Sequence, residues 1–259
     1  MESMVSCLRT VAVLLALCAT PAHGGEALNA VRAHGVLRVG TTGDYKPFTF
    51  RQLDGSYVGA DVVMAARLAT RLGVRLELVP TAWPVLLDDF AAHRFDVAMG
   101  GVSVNAARAA RGTFSTVVYV DGKRPVARCA DQDRFTSVEA IDQPGVRVVV
   151  NPGGTNQDFA RANLKHAALA VHPDNTTVFD EIIAGHVNVM VTDGIEADHQ
   201  AFIHPELCPT HVVAPFTRLE KADLLPNDPD LVHEVDDWIA AELASGDWAR
   251  ILEAAQRAP

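Results

Sequence analysis

Basic residues are in short supply in this sequence. Among 259 residues, 22 are Lys or Arg and 32 are Asp or Glu, a formal net charge of −10. Such an acidic balance excludes nucleic acid and anionic membrane as general partners. It does not exclude a small anion held by a local arginine. Long hydrophobic runs are also lacking. The one clearly apolar stretch, residues 11–19, falls short of the roughly 20 residues that span a bilayer as a helix, so no membrane anchor is expected. Cysteine is scarce at four residues, and none has the C-x-x-C spacing of a structural metal site. No internal repeat or low-complexity segment stands out. The glycines follow neither the Walker nor the Rossmann spacing, which excludes those two nucleotide-binding loops.

The N-terminus combines Arg9, the apolar run 11–19 and small residues beyond it. This is the pattern of a secretory signal peptide, over 1–25, with cleavage between Ala22 and Ala27. A lipoprotein anchor at Cys18 does not fit, because Leu17 before it is not small. Export to the periplasm follows, with about 235 residues left, enough for two lobes of roughly 100 residues each. Cys7 and Cys18 leave with the signal. Cys129 and Cys208 remain in an oxidising compartment, where an even pair reads as one disulfide; two buried thiols are the alternative.

Short β-rich runs at 36–40, 76–80, 95–100, 146–151 and 187–192 read as buried strands. Helical spacing of apolar residues predicts helices over 61–72, 83–93, 157–166 and 177–184, and an amphipathic one over 229–255. This alternation specifies an α/β protein with mostly parallel sheets flanked by helices. Turn-rich segments at 119–125 and 212–216 are candidate crossings between two lobes. With both crossing, lobe 1 comprises 26–120 and 214–259, and lobe 2, 121–213, is inserted. A disulfide between Cys129 and Cys208 would then clamp the base of lobe 2.

Open α/β sheets place their sites at the C-terminal ends of strands, and four candidate loops begin there. In Thr41-Thr-Gly-Asp-Tyr-Lys-Pro-Phe48, Tyr45 suits a ring wall with a polar tip and Lys46 suits a carboxylate; a plain turn capped by Asp44 is the other reading. Trp83-Pro84 is either a cleft wall or a helix start with Trp83 in the core. Gly100-Gly-Val-Ser-Val-Asn-Ala-Ala-Arg108 brings Ser103, Asn105 and Arg108 to a strand end, a set suited to a carboxylate. Asn151-Pro-Gly-Gly-Thr-Asn156 offers close backbone approach, with Asn151, Thr155 and Asn156 as polar contacts or simple caps. Last, Thr192-Asp-Gly-Ile-Glu196 sets Asp193 and Glu196 three apart at the end of a buried strand, on neighbouring positions of a helical turn.

Together these segments resemble the type II, amino-acid-binding family of periplasmic solute-binding proteins. Within it they are similar to the periplasmic cyclohexadienyl dehydratases, through 41–48, Trp83-Pro84, 150–156, Phe-Ala-Arg-Ala-Asn-Leu-Lys at 159–165, His-Pro-Asp-Asn at 172–175, Thr-Asp-x-Ile-Glu-Ala at 192–197 and His-Pro-Glu-Leu-Cys at 204–208. Gly194 departs from the pattern, standing where alanine is expected, and the C-terminal tail is shorter. The resemblance implies a two-lobed periplasmic-binding-protein-like fold. It implies decarboxylating dehydration of prephenate to phenylpyruvate, or arogenate to phenylalanine, in phenylalanine biosynthesis, with no metal or organic cofactor. It also implies that Arg108, Ser103 and Thr155 hold a carboxylate, that Asn151 and Asn156 orient substrate, and that Tyr45 and Trp83 wall the ring. Glu196 would be the general acid beside Asp193, which in the binding proteins holds a ligand's amino group. A non-catalytic amino-acid receptor for an importer shares the fold, and Glu196 and Asn151 set the two apart.

Overall fold

The computed structural model describes residues 25–258. Residues 1–24 of the expected signal peptide lie outside the described residues.

Leu37 and Val39, two apart in the strand Val36–Thr41, are both fully buried, which puts this strand inside a sheet. Its neighbours are Arg75–Pro80 and Val97–Ala98, both parallel to it. Leu224–Leu225 returns from late in the chain and runs antiparallel beside Val97–Ala98, with Thr113–Phe114 at the edge. The helix Ala60–Leu72 covers one face through Met64, Ala65, Leu68 and Ala69, packed with Leu37 and Val39. It stops where expected, at Gly73, whose φ of 71° completes a left-handed C-cap at no steric cost.

The second sheet runs in the order Ala168–Val171, Arg147–Val150, Val189–Asp193, Lys123–Arg128, Leu207–Pro209. The first three strands are parallel and the last two antiparallel to their neighbours. Strand alternation explains its unbroken hydrophobic runs. Val148, Val150, Val189 and Val191 face one apolar cluster, with Phe159 and Ala160 of the helix Gly154–Asn163. Val149 and Met190 face the other, with Phe179 and Ile182. Both faces are covered, so no polar residue is wanted on either. The two sheets are joined by a two-stranded ribbon, Tyr119–Asp121 against Leu219–Lys221.

Several expected boundaries shift. The helix expected over 83–93 is Leu86–Ala91, that over 157–166 is Gly154–Asn163, and that over 177–184 is Asp180–Ile183. The strand at 95–100 narrows to Val97–Ala98. The C-terminal pattern over 229–255 is two helices, Pro229–Ser245 and Asp247–Gln256, broken at Gly246 with φ 75°. The return ribbon lies beyond 212–216, because Phe216 stacks on Phe159 at 6.1 Å and holds that segment against the second sheet.

Cys129 and Cys208 are joined, with Cα atoms 4.8 Å apart. The bond sits at the outer end of Lys123–Arg128, one six-residue strand away from the cleft, and not at the base of the second lobe. It staples the edge strand Leu207–Pro209 to the sheet. Its loop is long, with a sequence separation of 79. Replacing both cysteines with serine should therefore cost about 3–5 kcal/mol of stability, read as a lower urea midpoint; an unchanged midpoint would rule out a stabilising role.

Candidate active site

The loops that follow the strands of both sheets meet over one cleft of about 320 Å³. From the first sheet come Tyr45, Trp83, Gly101, Ser103 and Arg108, and from the second Asn151, Thr155, Asn156, Asp193 and Glu196. Eight of the ten contacts expected from the sequence, and Glu196, line this cleft; Lys46 and Asn105 do not. Lys46 lies away from the cleft, 4.4 Å from the Phe50 ring centroid. Side chains alternate along an extended segment, so when Tyr45 points inward its neighbour points out. Asn105 is spent as a helix cap, its Oδ1 accepting the Arg108 N–H at 2.9 Å.

The third loop is set from beneath. Asp61 Oδ2 accepts the N–H groups of Gly100 and Gly101 at 2.8 and 2.6 Å. Gly101 has φ 70°, and a Cβ there would stand 2.5 Å from the Tyr45 ring, so a glycine is needed for the aromatic wall to close. Tyr45 and Trp83 meet edge to face at 5.9 Å. From the other lobe, Gly153 abuts Pro84, where a Cβ would come within 2.9 Å of the proline nitrogen.

Asp193 is the hub. It accepts from Tyr45 Oη at 2.5 Å, Lys221 Nζ at 2.6 Å and Lys123 Nζ at 2.7 Å. Burial alone would raise its carboxyl, but the two ammonium groups hold it well below the usual range. Lys123 also donates to Thr155 Oγ1 at 2.9 Å and to Asn156 Oδ1, which uses all three of its donors. Lys221 also donates to Ser103 Oγ at 2.9 Å, leaving one donor. Asn156 Nδ2 donates to Thr192 Oγ1 at 3.0 Å, and Thr192 donates to Glu196 Oε2. Glu196 is 2 % exposed. Burial, assisted by the Asp193 charge, lifts its carboxyl to about 8 against the pull of the Thr192 hydroxyl.

Arg108 is 5 % exposed. Its Nη1 donates to the Ser103 carbonyl at 2.7 Å, and its guanidinium lies 5.5 Å from the Trp83 ring centroid. Among the described residues no carboxylate forms an ion pair with it. Burial lowers its pKa to about 10.

The sequence profile of the bacterial extracellular solute-binding proteins, family 3, matches residues 37–255. The chain belongs to this family. It is 52% identical over 219 residues to the cyclohexadienyl dehydratase of Pseudomonas aeruginosa, across 85% of this chain and 82% of the relative. An ancestral amino acid-binding protein, described as a precursor of cyclohexadienyl dehydratase, superposes with a TM-score of 0.82 at 29% identity, over 88% of this chain and 99% of its own. An ancestral cyclohexadienyl dehydratase, 43% identical, matches with a TM-score of 0.56 over 89% of this chain and 96% of its own.

Two residues lining this family 3 protein's cleft, Lys221 and Asn175, and Lys123 behind Asp193 carry no local sequence signal for the site. Lys123 falls in the turn-rich stretch 119–125, where a charged residue looks solvated. Lys221 follows no motif; the ribbon brings it to the cleft from more than a hundred residues beyond Ser103. Asn175 lies within the His-Pro-Asp-Asn segment, which resembled the dehydratases without suggesting a role. Gly194 is a tight fit: its N–H bonds to the Gly122 carbonyl at 2.9 Å, and a Cβ would stand 2.8 Å from Asp121 Oδ1.

Proposed function

We propose that this protein is a cyclohexadienyl dehydratase, a periplasmic carbon–oxygen lyase that converts prephenate to phenylpyruvate, or arogenate to phenylalanine, in the biosynthesis of phenylalanine. The observation that carries this reading is Glu196: a carboxyl buried in an anion-binding cleft and lifted to about 8, hence protonated at neutral pH.

The barrier lies in expelling hydroxide from a ring that gains aromaticity once it leaves, so the reaction needs a proton donor at the departing oxygen. Glu196 Oε2 is engaged by Thr192, and Oε1 carries the proton. That proton passes to the ring hydroxyl as the C–O bond breaks. The bond to the ring carboxylate breaks with it, its electron pair completes the aromatic ring, and water and CO₂ depart. Glu196 is left as a carboxylate and regains its proton from solvent.

The charge balance favours a dianion. Behind the cleft Lys123 offsets the ionised Asp193, which leaves Arg108 and Lys221 as two cations lining it, and prephenate carries two carboxylates. Arg108 and the remaining Lys221 donor are the grips for them, with Tyr45 and Trp83 along the ring. Asn151 orients the substrate, while Thr155 and Asn156 act through Lys123 and Thr192. A non-catalytic amino-acid receptor is disfavoured by the same geometry. Such a receptor needs a carboxylate for the ligand's ammonium, and Asp193 is already saturated by Tyr45 and two lysines. In this reading the second sheet and its helices form an inserted lobe, entered and left through the ribbon of Tyr119–Asp121 and Leu219–Lys221, which closes on the first and excludes water.

The direct test is ultraviolet detection of phenylpyruvate formed from prephenate by purified protein; tight amino-acid binding without product would reverse the assignment. The pH profile adds a second. The general acid must be protonated, so the active form persists below the raised pKa and is lost above it. The ratio kcat/KM, which reports the acid of the free enzyme, should hold steady through neutral pH and fall as pH rises past about 8. A profile that falls above pH 5 would mean that an ordinary, solvated carboxyl governs turnover.

A further inference from the structure

Asn175 belongs to the turn after Ala168–Val171 in the second sheet and is 8 % exposed. It lines the cleft together with Glu196 and Asn151. Its Nδ2 reaches across the cleft and donates to the backbone carbonyl of Asp44 at 2.8 Å. A carbonyl only accepts, so this bond fixes which way the amide faces. Its Oδ1 is buried, and no donor among the described residues reaches it. Five side-chain atoms share that condition, and among them only Asn175 Oδ1 belongs to a residue lining the cleft.

A buried acceptor without a donor is unfavourable by about 1–3 kcal/mol, a cost that a ligand donor bound in the cleft would relieve. Other side-chain acceptors of this cleft are taken. Asp193 is saturated, Asn156 is bonded at both ends, and Glu196 Oε2 and Asn151 Oδ1 each accept from a neighbour. Prephenate carries several acceptors, its carboxylates and keto oxygen, but one donor, the ring hydroxyl that departs.

We infer that Asn175 Oδ1 accepts the hydrogen bond of the substrate's leaving hydroxyl, turning that oxygen's lone pair toward Glu196, while its Nδ2 ties the two lobes together over the bound ring. The inference rests on the dehydratase reading and adds a second group at the reacting oxygen. Orientation of the hydroxyl and closure of the cleft are then joined in one amide. A substrate lacking the hydroxyl satisfies the second function and leaves the first unmet.

Phenylpyruvate, the aromatised product, lacks the ring hydroxyl but keeps a carboxylate and the ring, so it separates the two functions. For Asn175→Ala, kcat for prephenate should fall by about 10²-fold, while phenylpyruvate affinity measured by calorimetry weakens by about fivefold or less, reflecting the lost tie to Asp44 alone. Retained phenylpyruvate binding also reports a folded cleft. Asn175→Ser, which keeps a shorter oxygen acceptor, should recover part of kcat without restoring phenylpyruvate affinity. Equal loss for both ligands in Asn175→Ala would reduce Asn175 to a lobe tie and overturn the inference, as would serine and alanine variants of equal kcat. A wild-type protein inactive on prephenate would instead overturn the dehydratase reading itself, so the two failures are distinct.

Discussion

Glu196→Gln is expected to bind prephenate within about threefold of wild type and to turn it over at least about 10³-fold more slowly. Glutamine is nearly isosteric with a protonated glutamic acid. Its carbonyl can still accept from Thr192, and its amide can still face the hydroxyl. It has no proton to give, so only the bond-breaking step suffers. Single-turnover phenylpyruvate formation and calorimetry with prephenate separate the two effects. A rate near that of wild type would remove Glu196 from the role of acid. The same variant has a signature in stability. A folded pKa of about 8, against an ordinary carboxyl value near 4.5, means that the native state holds the extra proton between those pH values. Wild-type stability therefore declines, from this group, as pH rises from about 4.5 to about 8. Glu196→Gln cannot titrate there and should lack that part of the decline, so chemical denaturation of both proteins at pH 5 and pH 8 measures it.

Arg108→Met is expected to weaken prephenate binding by about 10²-fold or more, because loss of one partner in a desolvated charge pair commonly costs about 2–5 kcal/mol. The reason for so large an effect is the isolation of the guanidinium. It is buried against Trp83 with, among the described residues, only the Ser103 carbonyl as hydrogen-bond partner of the guanidinium, so it binds an anion without first breaking an internal ion pair. The unliganded variant should be no less stable than wild type, because a buried cation without an ion-pair partner is itself unfavourable and methionine fills much of the same volume. Affinity by calorimetry and the thermal midpoint without ligand give the two readouts. Unchanged affinity would place the carboxylate elsewhere, at Lys221. Loss of stability without loss of affinity would make Arg108 a structural residue.

Much of this arrangement was legible along the chain because its signals are local. A strand ending in Gly100-Gly101 and followed by Ser103 and Arg108 predicts a site loop within nine positions, and Asn151 to Asn156 does so within six. Both stand in the cleft. The Glu196 position was legible for the same reason, three residues after Asp193 at the end of a fully buried strand. What failed was what depends on side-chain direction. Lys46 looked like an anion grip by composition, but the pleat that turns Tyr45 inward turns Lys46 out onto Phe50. Asn105 looked like a ligand contact and is occupied by its own helix end.

Taken alone, the sequence determined the alternation of strands and helices, the position of Glu196 at a buried strand end, the loop carrying Arg108 and the two cysteines that pair, because each depends on residues close in the chain or on a count. Only the tertiary structure decided the electrostatics of the cleft. Lys123 and Lys221 are nearly a hundred residues apart, and the ribbon that joins the sheets brings both onto the two oxygens of Asp193. That pairing ionises Asp193, denies it to an amino group and helps to keep Glu196 protonated. No window of sequence contains it, since a Coulomb interaction depends on distance in space and on how much water lies between the charges.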